Sequence, residues 1–214
     1  MKLFVTVLFA ALATAAFADD TTIDWSQVKP VTQLPGFWAG RDIHFQPIPQ
    51  MTNDRSGRIV NGQIASQHQF PYQVAVLTVF PQGTGLCGGS VLNANFVLSA
   101  AHCVDPDGQS AIVIFGAQDI TNANEPNQRR ISVTSNGIIL HPGWNRNTIE
   151  NDVTVLRLSS PVTLVPNVIV PIVLPTDLLD QFVDQAAVVS GWGRFVDGKF
   201  YYKLTHLQDY VFDI

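Results

Sequence analysis

Cysteine is scarce: the 214 residues contain two, Cys87 and Cys103. That count excludes a framework of several disulfides and the repeated cysteine pairs of zinc modules. Charge is scarce as well, at 14 % of residues with a formal net charge of −5, so there is no basic footprint for a phosphate backbone. Nucleic acid is not an expected partner. No Asn-x-Ser/Thr sequence occurs, which leaves N-glycosylation without an acceptor. Beyond the first 18 residues no apolar run is long enough to span a bilayer. Long helical periodicity and internal repeats are missing too.

What the chain does have is apolar content, 46 % of its residues, enough for a core in one globular unit or two small packed subdomains. Residues 1–18 read as a secretory signal: Lys2 supplies the positive end, residues 3–16 the apolar segment, and Ala16-Phe17-Ala18 a small-x-small cleavage site. The mature chain is therefore expected to be secreted and free of the membrane once the signal is removed. In an oxidising compartment Cys87 and Cys103 most simply pair, with buried thiols or a metal pair as the alternatives. Such a bridge closes a loop of 17 residues (103 − 87 + 1), worth about 3 kcal/mol on the chain-entropy account.

Residues 19–58 are rich in Pro, Gln, Thr and Asp, with apolar residues that look scattered. They read as a loosely structured pro-segment. From residue 59 onward, short runs of Val, Ile, Leu and Phe are broken by Gly, Pro and Asn, the pattern of an all-β barrel or sandwich. Strands are predicted over 73–80, 90–92, 96–99, 111–115, 130–134, 138–141, 153–158, 186–190 and 200–204. A tight turn is predicted at 93–95, and single helical turns at 100–103 and 176–182.

One residue has an obvious chemical role, His102 in Leu98-Ser99-Ala100-Ala101-His102-Cys103. An isolated histidine is usually a structural residue, and its context reverses that reading. A strand leading into Ala-Ala-His-Cys resembles the trypsin/chymotrypsin-like serine endopeptidases. Four other segments carry the same resemblance: Arg58-Ile59-Val60-Asn61-Gly62, Cys87-Gly88-Gly89-Ser90, Asn151-Asp152-Val153-Thr154-Val155-Leu156, and Val189-Ser190-Gly191-Trp192-Gly193.

The resemblance implies an all-β, chymotrypsin-like double β-barrel over residues 59–214, with the first barrel complete between about 71 and 164 and the second truncated. It implies His102 as general base, Asp152 as the carboxylate that orients it, and Cys87–Cys103 as the bridge fixing the histidine loop. Taken alone, Asp152 would pass for a turn or strand-cap aspartate. Arg58-Ile59 resembles the activation site, cut by a protease that recognises a basic residue, after which the new ammonium pairs with a buried carboxylate. Protein or peptide substrates are implied, with no cofactor and no metal. Asp119 and Glu125 fall where some relatives bind calcium, but two acids in an Asn-rich loop read as solvated.

No Gly-Asp-Ser-Gly-Gly occurs, so the family's nucleophile has no counterpart here. Ser90, Ser99 and Ser190 each sit inside a motif that assigns them a structural place. In the family's type enzyme about 45 residues separate His from Asp and about 93 separate Asp from Ser. Here the first interval is 50 (152 − 102), and 62 residues follow Asp152 (214 − 152). The expectation is a serine-endopeptidase lineage whose 214 residues are inactive by themselves. A non-catalytic secreted homologue that binds a partner is the alternative, and a splice product without function a third reading. The partial second barrel is expected to leave unpaired edges. The tail over residues 201–214 begins like a strand and then has no evident place.

Overall fold

The structure, a computed structural model, describes residues 23–39, 63–176, 182, 185–194 and 200–210. The expected signal at 1–18 and the Arg58-Ile59 junction lie outside the described residues, as does most of the helical turn predicted at 176–182.

In chain order the strands are β1 (Val28–Pro30), β2 (Gln63–Ile64), β3 (Gln73–Phe80), β4 (Gly83–Asn93), β5 (Phe96–Ser99), β6 (Ser110–Phe115), β7 (Arg129–Thr134), β8 (Ile138–Leu140), β9 (Thr154–Arg157), β10 (Ala186–Arg194) and β11 (Phe200–Tyr210). Seven run in the order β7-β6-β3-β4-β5-β9-β8, and β1 joins the same sheet beside β4. Just past β9, Leu158 N–H donates to the Asn95 carbonyl and Ser159 N–H to that of Ser132 in β7, both at 2.9 Å. The Leu158 bond extends the β5–β9 pairing, and the Ser159 bond joins the β9 end of the sheet to β7, closing the first barrel.

β3 shows why this sheet is stable. Val74 and Val76 point into the barrel core with Val91, Val113, Phe115 and Leu156, while Ala75 and Leu77 pack outward with Val28, Leu86, Ile114 and Ile120. Alternate residues thus enter different clusters, as the period of two requires. A strand buried on both faces reads as a continuous apolar run, and Gln73–Phe80 is such a run.

β10, β11 and β2 form a second, antiparallel sheet. It is tied to the first barrel by Leu204 N–H to the Gln118 carbonyl (2.7 Å) and Ile120 N–H to the Tyr202 carbonyl (3.1 Å). The linker lies back on the barrel through Val170 N–H to Pro71 and Ile172 N–H to Val91.

Three expectations change. First, the strand predicted at 90–92 is the end of an 11-residue strand, Gly83–Asn93. Its glycines look like breakers but permit close packing: a Cβ on Gly89 would lie 2.7 Å from the Leu98 carbonyl oxygen. Second, the chain from Phe200 continues as β11 to Tyr210, paired with β10 on either side of an irregularity at Gly191/Gly193. Third, residues 23–39 are built onto the body rather than loose. Val28, Val31, Leu34 and Phe37 recur every third residue and are 3–6 % exposed. That spacing is neither the strand period nor the α-helical one, and it suits a short strand running into a 3-10 turn at Val31–Gln33.

Candidate active site

The sheet register brings His102 and Asp152 together. β5 and β9 are antiparallel, with Ser99 opposite Thr154. Chain leaving β5 therefore lies beside chain entering β9. Three residues beyond Ser99, in a 3-10 turn over Ala101–Cys103, stands His102, and two residues before Thr154 stands Asp152. Asp152 Oδ1 accepts the His102 main-chain N–H at 2.8 Å, and Oδ2 lies 2.6 Å from Nδ1. An ionised carboxylate only accepts, so Nδ1 carries the proton and Nε2 of the neutral ring keeps a lone pair. The two side chains are 26 % and 21 % exposed, so the pair is largely sheltered from solvent.

The surrounding loops hold this pair in place. Cys87 on β4 and Cys103 beside the histidine form a disulfide, with Cα atoms 6.0 Å apart. Cys87, His102 and Cys103 place donor atoms within 4.8 Å of one another, but both sulfurs are bonded to each other and neither is a thiolate ligand. Ahead of Asp152 the backbone turns through positive φ at Ile149 (61°) and Asn151 (56°). Asn151 Nδ2 donates to the Gly143 carbonyl at 2.9 Å, and Trp144 Nε1 donates to Asp105 Oδ2 at 3.0 Å. The loop before Asp152 is thereby tied to the turn after His102.

The serines weighed from sequence have structural partners. Ser99 Oγ donates to the Gly88 carbonyl at 2.8 Å, and Ser190 Oγ to Gln73 Oε1 at 2.9 Å. Ser90 sits in β4, paired with Gln73 and Leu98. Among the described residues no serine hydroxyl is hydrogen-bonded to His102. Asp119 and Glu125 are not simply solvated: Glu125 accepts the main-chain N–H groups of Gln118 and Asp119, and Asp119 accepts from Thr121. Both carboxylates organise their own loop.

One neighbour of the histidine was not found from sequence. The ring of Phe37 meets the His102 imidazole edge to face, with centroids 5.9 Å apart. Its signal was the three-residue apolar spacing that ends at Phe37.

A family model described as Trypsin matches residues 59–211. The chain belongs to the trypsin family. It is 34 % identical over 145 residues to trypsin V-A of Rattus norvegicus, across 66 % of this chain and 52 % of that one. Cathepsin G of Mus musculus is 34 % identical over 144 residues, across 67 % of this chain and 52 % of its own. Among solved structures, HL collagenase superposes with a TM-score of 0.63 at 30 % identity, over 72 % of this chain and 64 % of that one. A structure described as "Structure of GrC" gives 0.64 at 30 % identity, over 72 % and 66 %. The chain thus spans about half the length of these trypsin and cathepsin relatives. The trypsin-family match extends to residue 211 and so takes in β11. The tail is therefore within the family match as far as residue 211.

Proposed function

We propose that this chain carries the histidine–aspartate half of a secreted serine endopeptidase that hydrolyses peptide bonds in protein or peptide substrates. His102 Nε2 takes the proton of an attacking serine hydroxyl and returns it to the leaving amine; Asp152 holds the tautomer and stabilises the imidazolium. Residues 1–18 direct secretion, leaving no membrane attachment after their removal, and residues 19–58 are a pro-segment. An activating protease cuts after Arg58 to free the amino group of Ile59. The observation that carries this reading is the 2.6 Å contact from His102 Nδ1 to Asp152 inside a trypsin-family barrel. Hydrolysis also needs the nucleophile and the oxyanion donors. No Gly-Asp-Ser-Gly-Gly segment occurs in the 214 residues, and on this reading they do not turn over substrate by themselves. The same observation favours, as a second reading, a secreted homologue that binds peptide or protein without cutting it.

A fluorophosphonate probe on the native secreted protein, combined with its intact mass, separates these readings. Labelling of a species heavier than the 23.4 kDa of the 214 residues supports the protease. Covalent labelling of the purified 214-residue chain would overturn its inactivity. A native species no heavier than the chain, unlabelled yet retained on immobilised peptide substrate, would favour the binding protein.

A further inference from the structure

Residues 23–39 cross the body as a strap. At one end the Trp25 carbonyl accepts the Tyr202 hydroxyl at 2.8 Å, the two rings meet edge to face at 5.5 Å, and Arg130 lies over the Trp25 ring at 5.8 Å. In the middle, β1 adds a parallel strand to β4, with Val28 opposite Thr84, Lys29 opposite Gly85 and Pro30 opposite Leu86. It uses a stretch of β4 whose far side is free because β5 pairs only with Ser90 and beyond. Val31, Leu34 and Phe37 then form a buried cluster with Phe80 of β3. At the other end Phe37 stands against His102, and the Trp38 ring lies 4.8 Å from the Phe37 ring, centroid to centroid. Trp38 Nε1 donates to the Thr32 carbonyl at 2.9 Å, closing the end of the strap on itself.

We propose that this strap is an intramolecular inhibitor: docked, it fills the surface beside His102 where an extended substrate would lie, and the site opens only when residues 23–39 leave. The inhibition rests on the catalytic reading of His102; the cover itself does not. Cleavage at Arg58-Ile59 would not by itself clear the site. Both cysteines are spent on each other, so no disulfide tethers the pro-segment, and docking alone decides whether it stays. The body carries a matching feature. A Cβ on Gly85 would lie 3.0 Å from Phe80, 3.1 Å from Val31 and 3.2 Å from Leu34, so glycine there lets the strap approach.

The test compares acylation of His102 by diethyl pyrocarbonate with that of exposed His141 in the intact 214-residue chain, mapped by mass spectrometry. Two variants undo the cover from opposite sides: Phe37→Ala removes the ring, and Gly85→Val fills the body's side of the contact. Wild-type His102 should react several-fold more slowly than His141. Its rate should rise several-fold in Phe37→Ala and in Gly85→Val, with faster hydrogen exchange over residues 28–37 in the latter. A wild-type His102 as reactive as His141 would overturn the cover, as would a His102 rate unchanged in Phe37→Ala. These readouts need no turnover, so a failed cover and a failed protease assignment are told apart. If the native secreted protein labels with fluorophosphonate, its Phe37→Ala form should label faster, and equal rates would overturn the inhibition.

Discussion

At the scale of single residues, Asp152 has two tasks, and they are separable. One oxygen accepts the main-chain N–H of His102 and the other the imidazole N–H. Asp152→Asn keeps an oxygen for the first but puts an amide donor or a neutral acceptor against Nδ1, so the imidazole is free to adopt the wrong tautomer. In a secreted form that labels with fluorophosphonate, Asp152→Asn should lower the labelling rate by an amount on the order of 10⁴-fold, by analogy with the fall in kcat for the same change in the family's type enzyme. The fold, followed by circular dichroism, should stay intact. A loss of less than tenfold would remove Asp152 from the proposed mechanism. His102 and Asp152 were legible in the sequence because each sits in a contiguous motif whose neighbours fix its strand position. Phe37 was not, because its contact crosses 65 positions (102 − 37) and it belongs to no motif.

Among elements, the strap and the glycine-rich strand β4 were the hardest to read, and for related reasons. Glycines at 85, 88 and 89 resemble a loop until the partners that press against them are known. An apolar residue at every third position looks scattered when only periods of 2 and 3.6 are sought. The strap's attachment also has a pH signature. Burial pushes the Tyr202 hydroxyl above its ordinary value of 10.0, so folding favours the neutral phenol, the form that donates to the Trp25 carbonyl. A raised folded-state value contributes stability that is fully present below the unfolded value, about 10, and is lost as pH rises through the higher folded value. Thermal melts across this alkaline range should therefore show wild type losing stability faster than Tyr202→Phe, which has no proton to lose. Parallel curves for the two proteins would show that this hydroxyl does not anchor the strap.

For the molecule as a whole, the two sheets differ in how well they are enclosed. The first barrel buries both faces of β3, whereas in the second sheet β10 has β11 on one side and no neighbour on the other among the described residues. Val188 and Val189 are 48 % and 54 % exposed. Being consecutive in a strand they point to opposite faces, so neither face of β10 is covered there. The sequence predicted a strand at 186–190, because that run is apolar and leads into the Gly-Trp-Gly motif, and the resemblance implied unpaired edges in a partial second barrel. It could not show that both faces would be open at Val188 and Val189, since that depends on how the second sheet leans on Gln118 and Ile120. An apolar strand with a free row of N–H and C=O groups recruits another strand. The purified 214-residue chain should consequently self-associate, with a sedimentation coefficient that rises with concentration. Lysine at both positions, Val188→Lys with Val189→Lys, sets like charges on that edge and should return the chain to monomer while leaving the disulfide-bridged first barrel folded. If the wild-type chain sediments as a monomer at every concentration, β10 is covered by something other than a second copy, and its open edge is not what governs the solution behaviour of the chain.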